Sequence, residues 1–351
     1  MKKKLAVIGC GGIGEYHLSH FLGFRDLVEL AGFCDLIPER AENFVKQAGE
    51  GKAYADFHDM YDEVKPDLVF ICVPPTKHGE IEYETIRRGI PFFVEKPVSL
   101  SLDMARDIRD RVAAAGLITA SGFQCRYSNL VEPNRKFVRE NEIVYIECAR
   151  MGGVPGVDWW RKRSTSGGQI VEQTIHQFDI IRYIYGEPDT VFTFGAKGFV
   201  KMEDYDTEDL STTVIKFRNG ALGTIATGCY AETGEAFDSK VTFSAKNCRA
   251  DLCILDRFTV HGEMAAEDEE SKGLILKNDG SMKKSAGEMT TYTQDGDAGI
   301  LCDRTFIEAV ISGNGSKIRS PYADAVKSLA FTLACNQSMD TGLPVKVELD
   351  R

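Results

Sequence analysis

At 351 residues the chain is long enough for two domains, each with its own core, and its 43% hydrophobic and 27% charged residues are those of a folded globular protein rather than a disordered one. A formal net charge of −11 without a basic stripe excludes nucleic acid as a partner, and no apolar run approaches membrane-spanning length. Ten cysteines without a Cys-x-x-Cys pair or zinc-finger spacing predict reduced thiols in a cytoplasmic protein, with no structural disulfide and no metal centre.

The first third alternates strand and helix. Apolar runs at 5–9, 27–35, 67–73, 91–95 and 117–124 predict strands, with helical stretches at 39–48, 79–88 and 102–115 between them. In the last, Leu102, Ala105, Ile108 and Val112 form one apolar stripe, while Asp103, Arg106, Arg109 and Asp110 face water. Such alternation predicts an α/β, doubly wound parallel sheet that binds its ligand at the carboxyl ends of the strands. From about residue 142 the texture changes. Runs at 143–150, 190–197, 210–217, 221–229 and 241–245 predict a mainly antiparallel sheet, with Arg218-Asn219-Gly220 as a hairpin turn. One helix over 168–185 interrupts it, and 264–297 is polar enough to predict exposed strands and loops. Helices at 300–311 and 322–339 close the chain.

The sharpest local signal lies at the N-terminus. Leu5-Ala6-Val7-Ile8 runs into Gly9-Cys10-Gly11-Gly12-Ile13-Gly14, and a second apolar run ends in Asp35. This is a strand, a Gly-x-Gly-x-x-Gly turn, a helix and a second strand tipped with an acid, which is the order a dinucleotide site requires. Gly9 permits the tight turn, Gly11 lets backbone approach a pyrophosphate, and Gly14 lets the helix pack closely. The helix from Ile13 aims its N–H groups and positive end at the phosphates. Asp35 can accept from the ribose hydroxyls and repels a 2′-phosphate, which favours NAD over NADP; Arg40 lies within reach but has Glu39 beside it.

Two further groups carry chemistry. Glu95-Lys96-Pro97 sits at the carboxyl end of a parallel strand, which places Lys96 near the reactive end of a bound dinucleotide, with a pKa lowered by desolvation and a cis bond to Pro97. On the 168–185 helix, Glu172, His176 and Asp179 are spaced i, i+4, i+7 and share one face, opposite Val171, Ile175 and Phe178. A carboxylate one turn from an imidazole can fix its tautomer and stabilise its protonated form, as a general base needs. No further His or Cys accompanies the pair as a metal ligand.

Together these features resemble the glucose–fructose oxidoreductase/inositol dehydrogenase (Gfo/Idh/MocA) family over the whole chain. The resemblance extends to Cys72-Val73-Pro74-Pro75-Thr76-Lys77-His78, to Gly122-Phe123-Gln124-Cys125-Arg126-Tyr127 and to Thr341-Gly342-Leu343-Pro344. It implies a Rossmann domain, here 1–125, followed by an α+β domain, 126–351, whose large open sheet mediates a homodimer or homotetramer. It also implies oxidation or reduction of a sugar or cyclitol carbon with NAD. By the same resemblance Lys96 contacts substrate, His176 accepts the proton, and Glu172 stands where the family commonly has aspartate. Pro74 and His78 then line the cofactor channel with Glu95, and Arg126, Tyr127, Trp160 and Arg161 are candidates to reach a polyol or an acidic sugar. Two other activities stay open at this stage: reduction of a non-sugar substrate with NAD(P)H, and dinucleotide sensing without catalysis.

Overall fold

The computed structural model describes residues 2–232, 236–262, 275–276, 282–283 and 289–349. Eleven elements build the first sheet and its helices: β1 (Lys3–Ile8), α1 (Gly12–Phe21), β2 (Val28–Cys34), α2 (Pro38–Ala48), β3 (Lys52–Tyr54), α3 (Phe57–Val64), β4 (Leu68–Ile71), α4 (Glu80–Arg87), β5 (Phe92–Val94), α5 (Leu102–Ala115) and β6 (Thr119–Ser121). The sheet order is β3-β2-β1-β4-β5-β6 and every pairing is parallel. Leu68-Val69-Phe70-Ile71 is buried throughout, as a strand covered on both faces must be. The α5 stripe buries Ala105, Ile108 and Val112, and the helix is closed by Ser101 at its start and left-handed Gly116 at its end. The predicted elements omit β3 and α3. Three residues of half-exposed strand carry too little periodicity to stand out.

The second half continues with α6 (Val131–Glu140), β7 (Ile143–Gly153), α7 (Arg163–Ser166), α8 (Ile175–Ile184), β8 (Pro188–Ala196), β9 (Leu210–Phe217), β10 (Leu222–Ala231), β11 (Ala236–Ala245), β12 (Arg249–Cys253) and β13 (Arg257–His261). After the short pair β14 (Ile275–Leu276) and β15 (Met282–Lys283) come β16 (Met289–Thr293), α9 (Ala298–Ser312), α10 (Tyr322–Thr341) and β17 (Val345–Lys346). Nine of these strands form one sheet, β16-β13-β12-β11-β7-β10-β9-β8-β17, antiparallel except where β7 and β10 pair in parallel. The β9–β10 hairpin turns at Asn219-Gly220, with Gly220 at φ 94°. One face of the sheet packs on α6, α8 and α10. Most of the polar segment at 264–288 lies outside the described residues.

The last two helices, which follow the expected 125/126 boundary, both pack on the first sheet, and the second half of α10 lies in the core of the second. Ala298, Cys302, Phe306 and Ile307 of α9 join Leu5, Phe70 and Phe93 in one cluster, and Tyr322, Ala325 and Leu329 of α10 join Phe92 and Ile108 in another. Burial of their apolar faces, not chain order, decides where they sit. The helix expected over 168–185 is regular only from Ile175. Gly167 and Gly168 both have positive φ, at 82° and 90°, and the Thr174 N–H and hydroxyl both donate to the Gln169 carbonyl. That local turn competes with helix, so Glu172 stands on a turn before α8.

Candidate active site

The glycine-rich turn is fixed by close approach. Gly9 has φ 94°, and a Cβ there would lie 2.1 Å from the Cys72 carbonyl oxygen; one on Gly14 would lie 2.3 Å from the Gly9 oxygen. At Gly11 and Gly12, by contrast, a Cβ would meet nothing within 4 Å, so one side of the loop is open. No side chain caps α1 at Gly11, and its first N–H groups face that opening with the positive end of the helix, beside the exposed Ile13. Asp35 lies at the rim. Its carboxylate accepts from the Cys10 N–H at 2.8 Å and the Ile37 N–H at 2.9 Å, which ties the tip of β2 to the loop. The residues present fit a dinucleotide: an open backbone cradle for the phosphates and an acid for the ribose.

At the end of β5 the chain places Lys96, joined by a cis bond to Pro97. Its ammonium donates to Glu172 Oε1 at 2.6 Å and to the Glu172 carbonyl at 3.1 Å. The other carboxylate oxygen, Oε2, accepts the indole N–H of the fully buried Trp160 at 2.6 Å. Burial alone would push the Lys96 pKa down, as the sequence suggested, but the Glu172 and Glu95 carboxylates outweigh it and raise it. His176, the second residue of α8, packs edge-on to Phe123, and its Nδ1 is buried without a hydrogen-bond partner. Burial, then the charges of Lys96 and Arg150, push its pKa down to about 3. The imidazole is therefore neutral, and the expected Glu172–imidazole pairing is not formed. The reason is the local turn, which swings Glu172 toward Lys96 and Trp160.

Set at the carboxyl edge of a dinucleotide-type sheet, this lysine–glutamate–histidine group can be compared with known proteins. The family model described as "Oxidoreductase family, NAD-binding Rossmann fold" matches residues 3–123, and that of the GFO/IDH/MocA C-terminal domain matches 141–266. The chain belongs to the Gfo/Idh/MocA family. It is 29% identical to a myo-inositol 2-dehydrogenase of Thermotoga maritima, over 72% of this chain and 78% of that one. It is 26% identical to a D-glucoside 3-dehydrogenase of Escherichia coli, over 71% and 76% respectively. A levoglucosan dehydrogenase solved with NADH shares the fold, with TM-score 0.83 at 17% identity over 99% of this chain and 100% of that one.

Within this Gfo/Idh/MocA chain the other predicted residues divide. Trp160 acts on Glu172 from a fully buried position. Arg161 is half-buried, with Nη1 3.2 Å from Asp158 and a buried Nε that has no partner. Pro74 is half-buried at the end of β4, and Arg40 is exposed on α2. His78 is buried, its Nδ1 2.6 Å from Glu82, and its Nε2 has no partner. Arg126 and Tyr127 are not available to a ligand. The Arg126 guanidinium, 1% exposed, is held by Asp179, Asp324 and the Arg319 carbonyl. The Tyr127 hydroxyl accepts the Arg319 N–H at 2.9 Å. Asp179 thus belongs to a buried ion network between the two sheets rather than to a face shared with His176.

Two groups escaped the sequence reading. Glu95 accepts the Lys96 backbone N–H at 3.2 Å on Oε2 and turns Oε1 to His17, whose ring nitrogens lie 3.1 Å from Glu95 Oε1 and 2.8 Å from Asp303 Oδ2. Burial lowers the His17 pKa, yet Asp303 and Glu95 override it and raise it to about 10, so the imidazolium is charged. His20 Nδ1 reaches the same Asp303 oxygen at 2.7 Å. Among the described residues His17, His20 and Asp303 are the group whose donor atoms lie close enough for a metal ion. However, two nitrogens within 2.8 Å of one oxygen are at hydrogen-bond distance. Ligands about 2.0–2.2 Å from a shared tetrahedral metal sit farther apart. The second group is Arg150, treated below.

Proposed function

We propose that the protein oxidises a secondary alcohol of a sugar, sugar derivative or inositol with NAD. One observation carries the reading: a lysine with an uncommitted donor and a neutral imidazole meet at the carboxyl edge of the NAD-type sheet. An ammonium has three N–H groups, and Glu172 takes two of them. The third donates to the reacting hydroxyl oxygen and favours its deprotonation. His176 accepts the hydroxyl proton on its ring lone pair as the carbonyl forms. Glu172, anchored by Trp160, holds the ammonium in place throughout. Bound NAD supplies the hydride acceptor. Proton transfer to a positioned base is worth on the order of 10²–10⁴ in rate, and alignment on the cofactor adds to it.

The preference for NAD over NADP is supported by the Asp35 carboxylate at the tip of β2. A homo-oligomer is supported by one face of the large sheet, uncovered among the described residues, where Phe194, Val214 and Leu222 are 67%, 48% and 52% exposed. Ten free cysteines support a reducing, cytoplasmic setting. The test is initial-rate measurement of reduced nicotinamide with NAD⁺ and NADP⁺ across inositols, aldoses, sugar acids and amino sugars. Turnover that Lys96→Met and His176→Ala abolish, with NADH binding retained, supports the reading. Turnover surviving in both variants overturns it.

A further inference from the structure

One arginine that acts on this site has no carboxylate partner among the described residues. Among the described residues Arg126, Arg150 and Arg182 are the buried arginines. Arg126 is matched by Asp179 and Asp324, and Arg182 by Glu187 and Asp324. Arg150 is 6% exposed and has no carboxylate within 4 Å among the described residues. Its Nη1 alone makes contacts, a long one to the Gly228 carbonyl at 3.4 Å and one to the Cys229 thiol, a weak acceptor, at 3.2 Å. The Nε and Nη2 groups have no acceptor among the described residues. Neither atom is sealed from solvent, so both are open to a ligand oxygen.

Its position explains why the fold keeps it. Ile146, Cys148, Arg150 and Gly152 alternate onto the covered face of β7, the face that carries α8. Arg150 lies opposite Ser239 on β11, whose hydroxyl is 3.4 Å from the amide of Gln177, the neighbour of His176. Its charge acts on Lys96, His176 and Cys229. Of its two charged or basic neighbours, Lys96 is paired with Glu172 and His176 is neutral, so neither supplies Arg150 with a counter-charge. An oxidised nicotinamide adds a further positive charge.

We propose that Arg150 is the recognition group for an anionic oxygen substituent on the substrate, a carboxylate or phosphate ester carried by the sugar or cyclitol. This rests on the dehydrogenase reading for its location but not for its test. The free Nε and Nη2 form the fork that takes two oxygens side by side. The bound anion removes the positive field that Arg150 imposes on His176. That raises the basicity of the imidazole when the hydroxyl it must deprotonate is in place, so an acidic substrate both binds and prepares its own base.

Binding is measured rather than turnover, so that a failed activity screen cannot be mistaken for a failed site. Calorimetry on the protein saturated with NADH compares D-glucose, D-gluconate and a glucose monophosphate, with wild type, Arg150→Met and Arg150→Lys. Gluconate or the phosphate ester is expected to bind about ten- to a hundredfold more tightly than glucose, the worth of a charge-assisted hydrogen bond. Arg150→Met brings that ratio close to one, and Arg150→Lys, which keeps the charge and loses the fork, falls between. NADH binding in each variant reports an intact fold. Which anion wins separates carboxylate from phosphate. Equal binding of glucose and both anions, or a preference that survives in Arg150→Met, overturns the proposal. Anion selectivity through Arg150 without turnover on any alcohol upholds the site and refutes the dehydrogenase reading.

Discussion

Replacing Glu172 with glutamine keeps its size and tests whether the carboxylate is needed as a charge. Both its oxygens receive donors at 2.6 Å, from the Lys96 ammonium and from the Trp160 indole. A glutamine has one oxygen and one NH₂. Whichever way the amide turns, a donor faces a donor. The Lys96 side chain is 15% exposed and Glu172 9%, so water replaces little of what is lost. Breaking a buried pair costs about 3–5 kcal/mol, and the Glu172 carbonyl at 3.1 Å keeps the Lys96 ammonium partly satisfied, so about 3 kcal/mol is expected. Trp160→Phe removes one donor from the carboxylate and costs about 1–3 kcal/mol. In the double variant the amide oxygen turns fully to Lys96, and its NH₂ faces a ring instead of an N–H. The two losses are then less than additive by about 1 kcal/mol or more, well above the roughly 0.3–0.5 kcal/mol scatter of independent sites. Urea unfolding followed by circular dichroism measures the cycle. Additive losses would show that Trp160 does not act through Glu172, and the positioning argument would fall with it. The same substitution also removes the larger of the two carboxylate charges raising the Lys96 pKa, leaving Glu95 alone against burial, so activity in Glu172→Gln declines at high pH earlier than in wild type.

His176 and His17 tilt stability in opposite directions. His176, with its pKa depressed to about 3, stays neutral in the fold while the unfolded chain takes up a proton below about 6.5, so stability falls as pH drops through that window; His176→Asn flattens this slope in unfolding curves taken from pH 4 to 7. His17, raised to about 10, stabilises the fold fully below about 6.5 and loses that contribution as pH rises toward 10. Its replacement by leucine strands Asp303 and Glu95 and costs about 3–5 kcal/mol near neutral pH, read by the same unfolding assay; a loss under about 1 kcal/mol contradicts the charged assignment. Asp35→Ser is expected to cut the kcat/KM ratio of NAD⁺ over NADP⁺ about tenfold, roughly one charge-assisted hydrogen bond, and an unchanged ratio places the discrimination elsewhere. Phe194→Glu with Leu222→Lys on the open sheet face is expected to halve or quarter the mass seen in sedimentation, and an unaltered mass removes that face from the interface.

How far the site could be read beforehand follows from how local each part is. Gly9, Gly11, Gly14 and Asp35 act through neighbours in one strand-turn-helix-strand unit, so spacing alone reports them. Lys96 is legible because a strand end in an alternating chain has a known place in a parallel sheet. The partner of Glu172 is not, because helical periodicity offered His176 four residues on. Two consecutive glycines with positive φ unwound that turn and delivered the carboxylate to a lysine 76 positions away. Arg126 misled for the opposite reason: an arginine at a domain junction looks available until Asp179 and Asp324, from two other helices, are seen to hold it. Arg150 left no trace at all. On its strand it occupies one of the alternating inward positions that Ile146 and Cys148 fill as core. Sequence distinguishes a buried charge from an exposed one only through its partner, and here the protein provides none. The absence of that partner carries the information, since an accessible guanidinium whose Nε and Nη2 are left free, acting on Lys96 and His176, can take an anion brought in from solution.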